Sequence, residues 1–228
     1  MFSKYAKRMR LTRSEENYLK SIFKLSGKEQ SNVSTSALAE ELNAKAASVT
    51  DMVKKISDKG LCEYIKYKGV RLSSIGLSYA VNIVRKHRLW ELFLVEKLSF
   101  GWEEVHEVAE QLEHIKSEKL IKQLESFLDF PKWDPHGNPI PDSEGNIPKR
   151  STVQFNLVES GFGYVLLGVN QDDPDFLNYL NQVGLHIGKE IELIQKYEFD
   201  GSMQIELEGK GIQISKEVAK CLLVKEKV

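Results

Sequence analysis

Residues 33–60 read VSTSALAEELNAKAASVTDMVKKISDKG, and the periodicity of that stretch decides the fold. Val33 to Leu42 reads as a short helix with Ser34 or Thr35 placed to cap it, since a hydroxyl oxygen can accept from the orphan amides of a first turn. Asn43-Ala44-Lys45 breaks the pattern. Ala46 to Lys59 then places Val49, Met52, Val53 and Ile56 on one helical face, and Gly60 stops the run. Two short helices around so brief a break form the core of a helix-turn-helix.

Working outward, Ser14 to Leu25 sets Leu19, Ile22 and Phe23 at helical spacing, with Ser14 as the expected N-cap. Downstream, Leu61 to Tyr67 and Val70 to Ser73 are β-rich and join around Lys68-Gly69, a hairpin signal that supplies a wing. From Ile75 to about Phe130 the pattern is helical again. Its apolar stripe of Val105, Val108, Leu112, Ile115, Leu120, Leu124 and Leu128 is long for a small domain to cover, which points to a homodimer. Pro131 to Pro148 hold five of the six prolines, the composition of a linker or ordered loop. Beyond Ser151, alternation in Val153–Leu157, Glu190–Ile194 and Met203–Leu207 indicates a small β-barrel. The expected fold is mainly α with β. Residues 1–74 form a winged helix-turn-helix, 75–130 a helical dimerisation domain, 131–150 a proline-containing linker and 151–228 a β-barrel domain.

Composition narrows the function classes. The 228 residues are 41% hydrophobic and 29% charged, ordinary globular usage. No apolar run approaches the roughly 20 residues of a membrane span, and the basic start MFSKYAKRMRL lacks the apolar stretch of a signal peptide. Two distant cysteines, Cys62 and Cys221, argue against a disulfide framework or thiolate metal site and fit a reducing cytoplasm. The net charge of -1 hides an asymmetry: residues 1–74 carry 15 Lys and Arg against 8 Asp and Glu, while the remainder carries 17 against 25. A basic module, suited to a phosphate backbone, is joined to an acidic one suited to cations.

Two constellations carry chemistry. If Ala46–Lys59 is a recognition helix, Lys45, Ala47, Ser48, Thr50 and Asp51 meet base edges in the major groove of double-stranded operator DNA. Lys54 and Lys55, with Lys66, Lys68 and Arg71 on the wing, would reach phosphates. The second constellation is His87/Glu91, His106/Glu110 and Glu110/His114, each pair four residues apart, with Glu113 beside the last. Side chains at that spacing share a helical face, so each pair can reach one divalent cation. Imidazole plus carboxylate without sulfur suits manganese, iron or zinc. A di-metal oxidase is the enzymatic alternative, but it needs Glu-x-x-His motifs on two helices, and Glu110-Gln111-Leu112-Glu113 is not one. No Gly-rich phosphate loop, nucleophile elbow or Ser/His/Asp set is evident, so no enzyme is expected.

Arg85-Lys86-His87-Arg88-Leu89-Trp90-Glu91, the run from Val105-His106 through Glu110 to Glu113-His114, and Gly137-Asn138-Pro139-Ile140-Pro141 together resemble the diphtheria-toxin-repressor and manganese-transport-regulator family. The similarity spans nearly the whole chain in the family's domain order, and it implies that the terminal barrel is SH3-like. It implies a transcriptional repressor of metal-uptake genes, with Mn2+ (or Fe2+ as the alternative) as corepressor at two sites per subunit. The ancillary site maps onto His87, Glu91 and His106, with Asp172 and Asp175 supplying oxygens from the third domain. The primary site maps onto Glu110, Glu113, His114 and, in the first helix, Asn17. The iron-sensing branch has cysteine and methionine at the positions of Glu110 and Asn17, and the manganese branch glutamate and aspartate. This chain resembles the manganese branch at Glu110 and departs from both at Asn17, where the neighbouring Glu16 points about 100° away. That departure leaves open a metal-independent DNA-binding regulator.

Overall fold

Thr12, rather than Ser14, opens the first helix, α1 (Arg13–Ser26). The Thr12 hydroxyl accepts from the Glu15 amide (3.3 Å) and the Thr12 amide donates to Glu15 Oε2 (3.0 Å). This reciprocal pair satisfies two orphan amides, whereas Ser14 has no acidic partner three residues on. The computed structural model describes residues 9–27, 30–65 and 68–227. Lys66, Tyr67 and the first eight residues of the basic N-terminal run lie outside the described residues. The structure divides into two compact units. The first runs to His87 and includes Gln111–Ile121 and Pro141–Ile147; the second comprises Arg88–Glu110, Lys122–Ile140 and the chain from Pro148 onward.

In the first unit, α2 (Thr35–Glu41) is capped by Ser34, whose hydroxyl accepts from the Ala37 amide. Asn43 turns the chain at φ 45°, a conformation asparagine tolerates. Then α3 (Ala46–Asp58) buries Val49, Val53 and Ile56. With Leu19, Ile22, Leu38, Leu61 and Val70 these make a fully buried aliphatic core; each contributes roughly 1.5–3 kcal/mol by leaving water. The wing is an antiparallel pair, β1 (Cys62–Ile65) and β2 (Gly69–Leu72), in register Cys62↔Leu72 to Ile65↔Gly69. Val33 pins it from the other side through paired backbone hydrogen bonds with Val70, both 2.8 Å.

Ser74–Leu98 forms the long helix α4, followed by α5 (Val105–Leu112) and α6 (Glu118–Phe127). Of the expected dimerisation stripe, Val105, Leu124 and Leu128 are buried within the chain itself. Leu120 of the stripe is exposed, and the exposed apolar side chains of the second unit include Leu98, Phe127 and Phe130, with the Lys97 ammonium 5.7 Å above the Phe127 ring.

The C-terminal domain is a sheet of β3 (Val153–Gln154), β4 (Phe162–Val169), β5 (Glu190–Lys196), β6 (Met203–Leu207), β7 (Lys210–Ile214) and β8 (Leu222–Glu226). Every pairing is antiparallel, in the order β3-β8-β4-β5-β6-β7. The alternation at Val153–Leu157 is a strand only as far as Gln154. Phe155–Leu157 is a 3-10 turn that swings Phe155 edge-on against Tyr164, 5.8 Å between centroids. A helix not anticipated, α7 (Pro174–Val183), is capped by Asp173 and ends at Gly184, φ 80°. A short α8 (Lys216–Cys221) precedes β8. Among the described residues no helix is long and apolar enough to cross a membrane.

Candidate metal centres and nucleic-acid interface

In the first unit, α1 and the segment 111–121 meet through charged side chains. Glu16 Oε2 lies 2.5 Å from His114 Nδ1, so that ring nitrogen donates its proton to a buried carboxylate and Nε2 keeps its lone pair. Glu16, which helical spacing points about 100° away from Asn17, is the partner that orients His114. Asn17 Oδ1, Glu113 Oε1 and His114 Nε2 are each buried with no hydrogen-bond partner among the described residues. The last two are 3.7 Å apart. An unsatisfied buried polar atom costs about 1–3 kcal/mol, so these three acceptor atoms in one unit require an explanation. They are an amide oxygen, a carboxylate oxygen and an imidazole nitrogen, donors that fit manganese(II) or iron(II).

The other oxygen of Glu113 is differently engaged. Lys20 Nζ donates to Glu113 Oε2 at 2.6 Å, and His87 Nδ1 lies 2.7 Å from the same oxygen and 3.2 Å from Nζ. Burial pushes the Glu113 carboxyl up, but the His87 hydrogen bond and the Lys20 charge outweigh it and hold it below the usual carboxylate range. His87 and Glu113, assigned by resemblance to different sites, are thus bonded to each other.

The second unit gathers another set. Glu91 Oε1 is 3.5 Å from His106 Nδ1, His106 Nε2 is 3.5 Å from Glu110 Oε1, and Asp172 Oδ2 is 3.9 Å from His106 Nδ1. Asp175 sits exposed in the first turn of α7. Two residues that sequence reasoning missed, Asp134 and His136, complete a buried triad with Glu91 whose ligand atoms all lie within 4.8 Å of one another. Asp134 Oδ1 accepts from the amides of His136 (2.9 Å) and Asn138 (2.8 Å), which holds the loop, while Oδ2 faces Arg88 Nε at 3.6 Å. His136 Nε2–H donates to the Trp102 carbonyl at 2.7 Å and turns Nδ1 toward Glu91 Oε2, 3.8 Å away. Backbone fixation of one ring nitrogen with the other aimed at carboxylates is the arrangement of a ligating histidine. Burial and then the Glu91 charge push the Asp134 carboxyl up to about 6. For His136, burial lowers the imidazole, but Glu91 and Asp134 outweigh it and raise it to about 9. The only sequence signal was an Asp-x-His inside a proline-rich loop.

On the reading face, Lys45, Ala47, Ser48, Asp51, Lys54 and Lys55 of the α3 region are exposed, as are Lys68 and Arg71 on the wing. Thr50 is half-buried and donates its hydroxyl to the Ala46 carbonyl at 3.0 Å. Lys55 pairs with Glu15 (3.1 Å) and Arg71 with Glu63 (3.0 Å), so both cations have intramolecular competitors for phosphate.

A winged helix whose first helix shares a carboxylate–imidazole cluster with a later helical segment, together with an SH3-like sheet domain, defines a class of metal-responsive DNA-binding repressors. The chain belongs to the iron-dependent repressor family. Residues 10–70 match that family's N-terminal DNA-binding domain, 73–142 its metal-binding and dimerisation domain, and 154–226 a FeoA domain. The iron-dependent repressor IdeR of Mycobacterium leprae (strain TN) is 34% identical over 189 residues, covering 77% of this chain and 81% of the relative. Among solved structures, a manganese-dependent transcriptional repressor in complex with manganese matches with a TM-score of 0.83 at 30% identity, over 93% of this chain and 100% of that one. The manganese regulator SloR matches at 0.74 and 34% identity, over 95% and 100%. The first two are named as repressors and the third as a regulator.

Proposed function

We propose that this chain is a homodimeric repressor that binds double-stranded operator DNA in the cytoplasm when loaded with manganese(II), iron(II) being the alternative corepressor. The observation that carries this is the set of three orphaned atoms, Asn17 Oδ1, Glu113 Oε1 and His114 Nε2, in the unit that also holds the reading helix. A dication held there supplies the charge that an amide, a carboxylate and an imidazole cannot supply to one another. Asn17 lies on α1, packed within the winged helix, and Glu113 and His114 lie on the segment 111–121. Joining them restricts how far the reading head moves against that segment, and ligand binding then favours one arrangement by its differential affinity. Coupling of about 1–3 kcal/mol would raise DNA affinity roughly 5- to 150-fold. We assign Glu91, Asp134 and His136, with His106 and Asp172 nearby, to a second site in the other unit.

A metal-independent regulator is the second reading, favoured by the Lys20 ammonium already seated on Glu113. Fluorescence anisotropy with DNA from upstream of metal-uptake genes separates them, titrated at fixed salt in chelator, manganese(II) and anaerobic iron(II). Binding that requires metal supports the corepressor; equal binding in chelator overturns it.

A further inference from the structure

Glu113 is divided between two environments. Its Oε1 faces the orphaned His114 Nε2, while its Oε2 is taken by Lys20 and His87. Lys20 is only 15% exposed and the Glu113 side chain is wholly buried, so this is not a surface ion pair exchanging with water. A carboxylate oxygen and an imidazole nitrogen meeting at one point are the donors of a divalent-cation site, and here an ammonium group sits at that point. We infer that Lys20 is a built-in cation that occupies a second metal position, so that the Asn17–Glu113–His114 cluster takes a single dication instead of a carboxylate-bridged pair.

Three features support the assignment. The ammonium is covalently tethered one helical turn from Asn17, so its local concentration is fixed by α1 and not by the metal supply. It bonds only one oxygen of Glu113, leaving the other for the dication, and a bridging carboxylate would divide its oxygens between two metals in the same way. With Nδ1–H of His87 donating to Glu113, the lysine contact to the ring is a close approach rather than a second hydrogen bond. Nδ1 of His87 is therefore held as a donor to the carboxylate while Lys20 occupies the position beside it. Lys20 is thus a positioning residue that sets metal stoichiometry and holds Glu113 in the orientation the first ion needs.

This inference rests on the site proposed above, and the test separates the two. Manganese(II) binding to the full-length protein is measured by equilibrium dialysis and by electron paramagnetic resonance for wild type, Lys20→Met, Lys20→Glu and Glu113→Gln. Thermal unfolding is followed alongside, and Lys20→Gln serves as the substitute where Lys20→Met does not fold. The expected result is that Glu113→Gln loses an ion per chain. Lys20→Glu and Lys20→Met gain an ion, and the resolved hyperfine pattern of isolated manganese(II) gives way to a broadened signal from a coupled pair. If Glu113→Gln binds as wild type does, the site itself is wrong. If Glu113→Gln loses an ion but the folded Lys20 variants gain none and keep the uncoupled signal, the site stands and the role given to Lys20 is overturned.

Discussion

Two questions can be put to single side chains. The first is what an amide does where the manganese branch has an aspartate. Asn17 presents a neutral oxygen, so Asn17→Asp adds a charge to a buried donor set. The variant should bind manganese(II) about tenfold more tightly, roughly 1.4 kcal/mol, as titration calorimetry would read; weaker binding would remove Asn17 from the ligand set. The second concerns its neighbour Glu15, which is wholly buried and bonded to Lys59 (2.7 Å) and Lys55 (3.1 Å). Burial alone would raise its carboxyl, but those lysines and the Thr12 amide hold it at about 2, against an ordinary 4.5. The folded carboxyl binds its proton more weakly than the unfolded one. Its stabilisation is therefore full above pH 4.5 and lost as acid lowers the pH toward about 2. A shift of that size is worth up to roughly 3 kcal/mol. Glu15→Gln should lose most of it at neutral pH and flatten the acid limb of a denaturation series.

Elements came through the sequence wherever one face had to be apolar. The three helices of the reading head lie within a residue or two of their expected bounds, because Leu19, Ile22, Val49, Val53 and Ile56 can be buried together only at helical spacing. The helix α7 was missed although its start signals, Asp173 as cap and Pro174 in the first turn, were in plain view. Asp173, between the two aspartates expected to supply oxygens, accepts from the first-turn amides of Asp175 and Phe176. The wing offers a test at this scale. Gly69 has φ 96°, and a Cβ there would stand 2.4 Å from the Val33 carbonyl oxygen. Gly69→Ala should therefore cost about 1–3 kcal/mol and displace the Val33–Val70 pairing, visible as faster amide exchange at both residues. On α3, Lys54→Ala should weaken binding to every DNA sequence alike and reduce the salt slope by about 1. Lys55→Ala should do less to DNA binding, because Glu15 already holds that ammonium.

At the scale of the whole molecule, the sequence shows a basic module and an acidic one but not what joins the site. Glu113 and His114 were reachable by spacing. Their partners were not, since Lys20 and Glu16 lie 93 and 98 residues earlier and no local period records such contacts. At the proposed site the same non-locality would couple metal binding to folding, because the side chains of α1 and of 111–121 converge only when that unit is folded. Manganese(II) should bind the native chain and hardly the unfolded one, so at a free concentration of about 100 Kd it stabilises the unit by roughly 2.7 kcal/mol. Glu113→Gln keeps the side-chain volume but loses the charge that Lys20 and a dication share. It should fold, show no rise in its melting temperature from a metal ion at this site, and bind operator DNA equally in chelator and in manganese(II). A Glu113→Gln protein whose melting temperature and DNA affinity still rise with manganese(II) as in wild type would place the regulatory ion elsewhere, with the Glu91–Asp134–His136 triad of the second unit as the next site to disable.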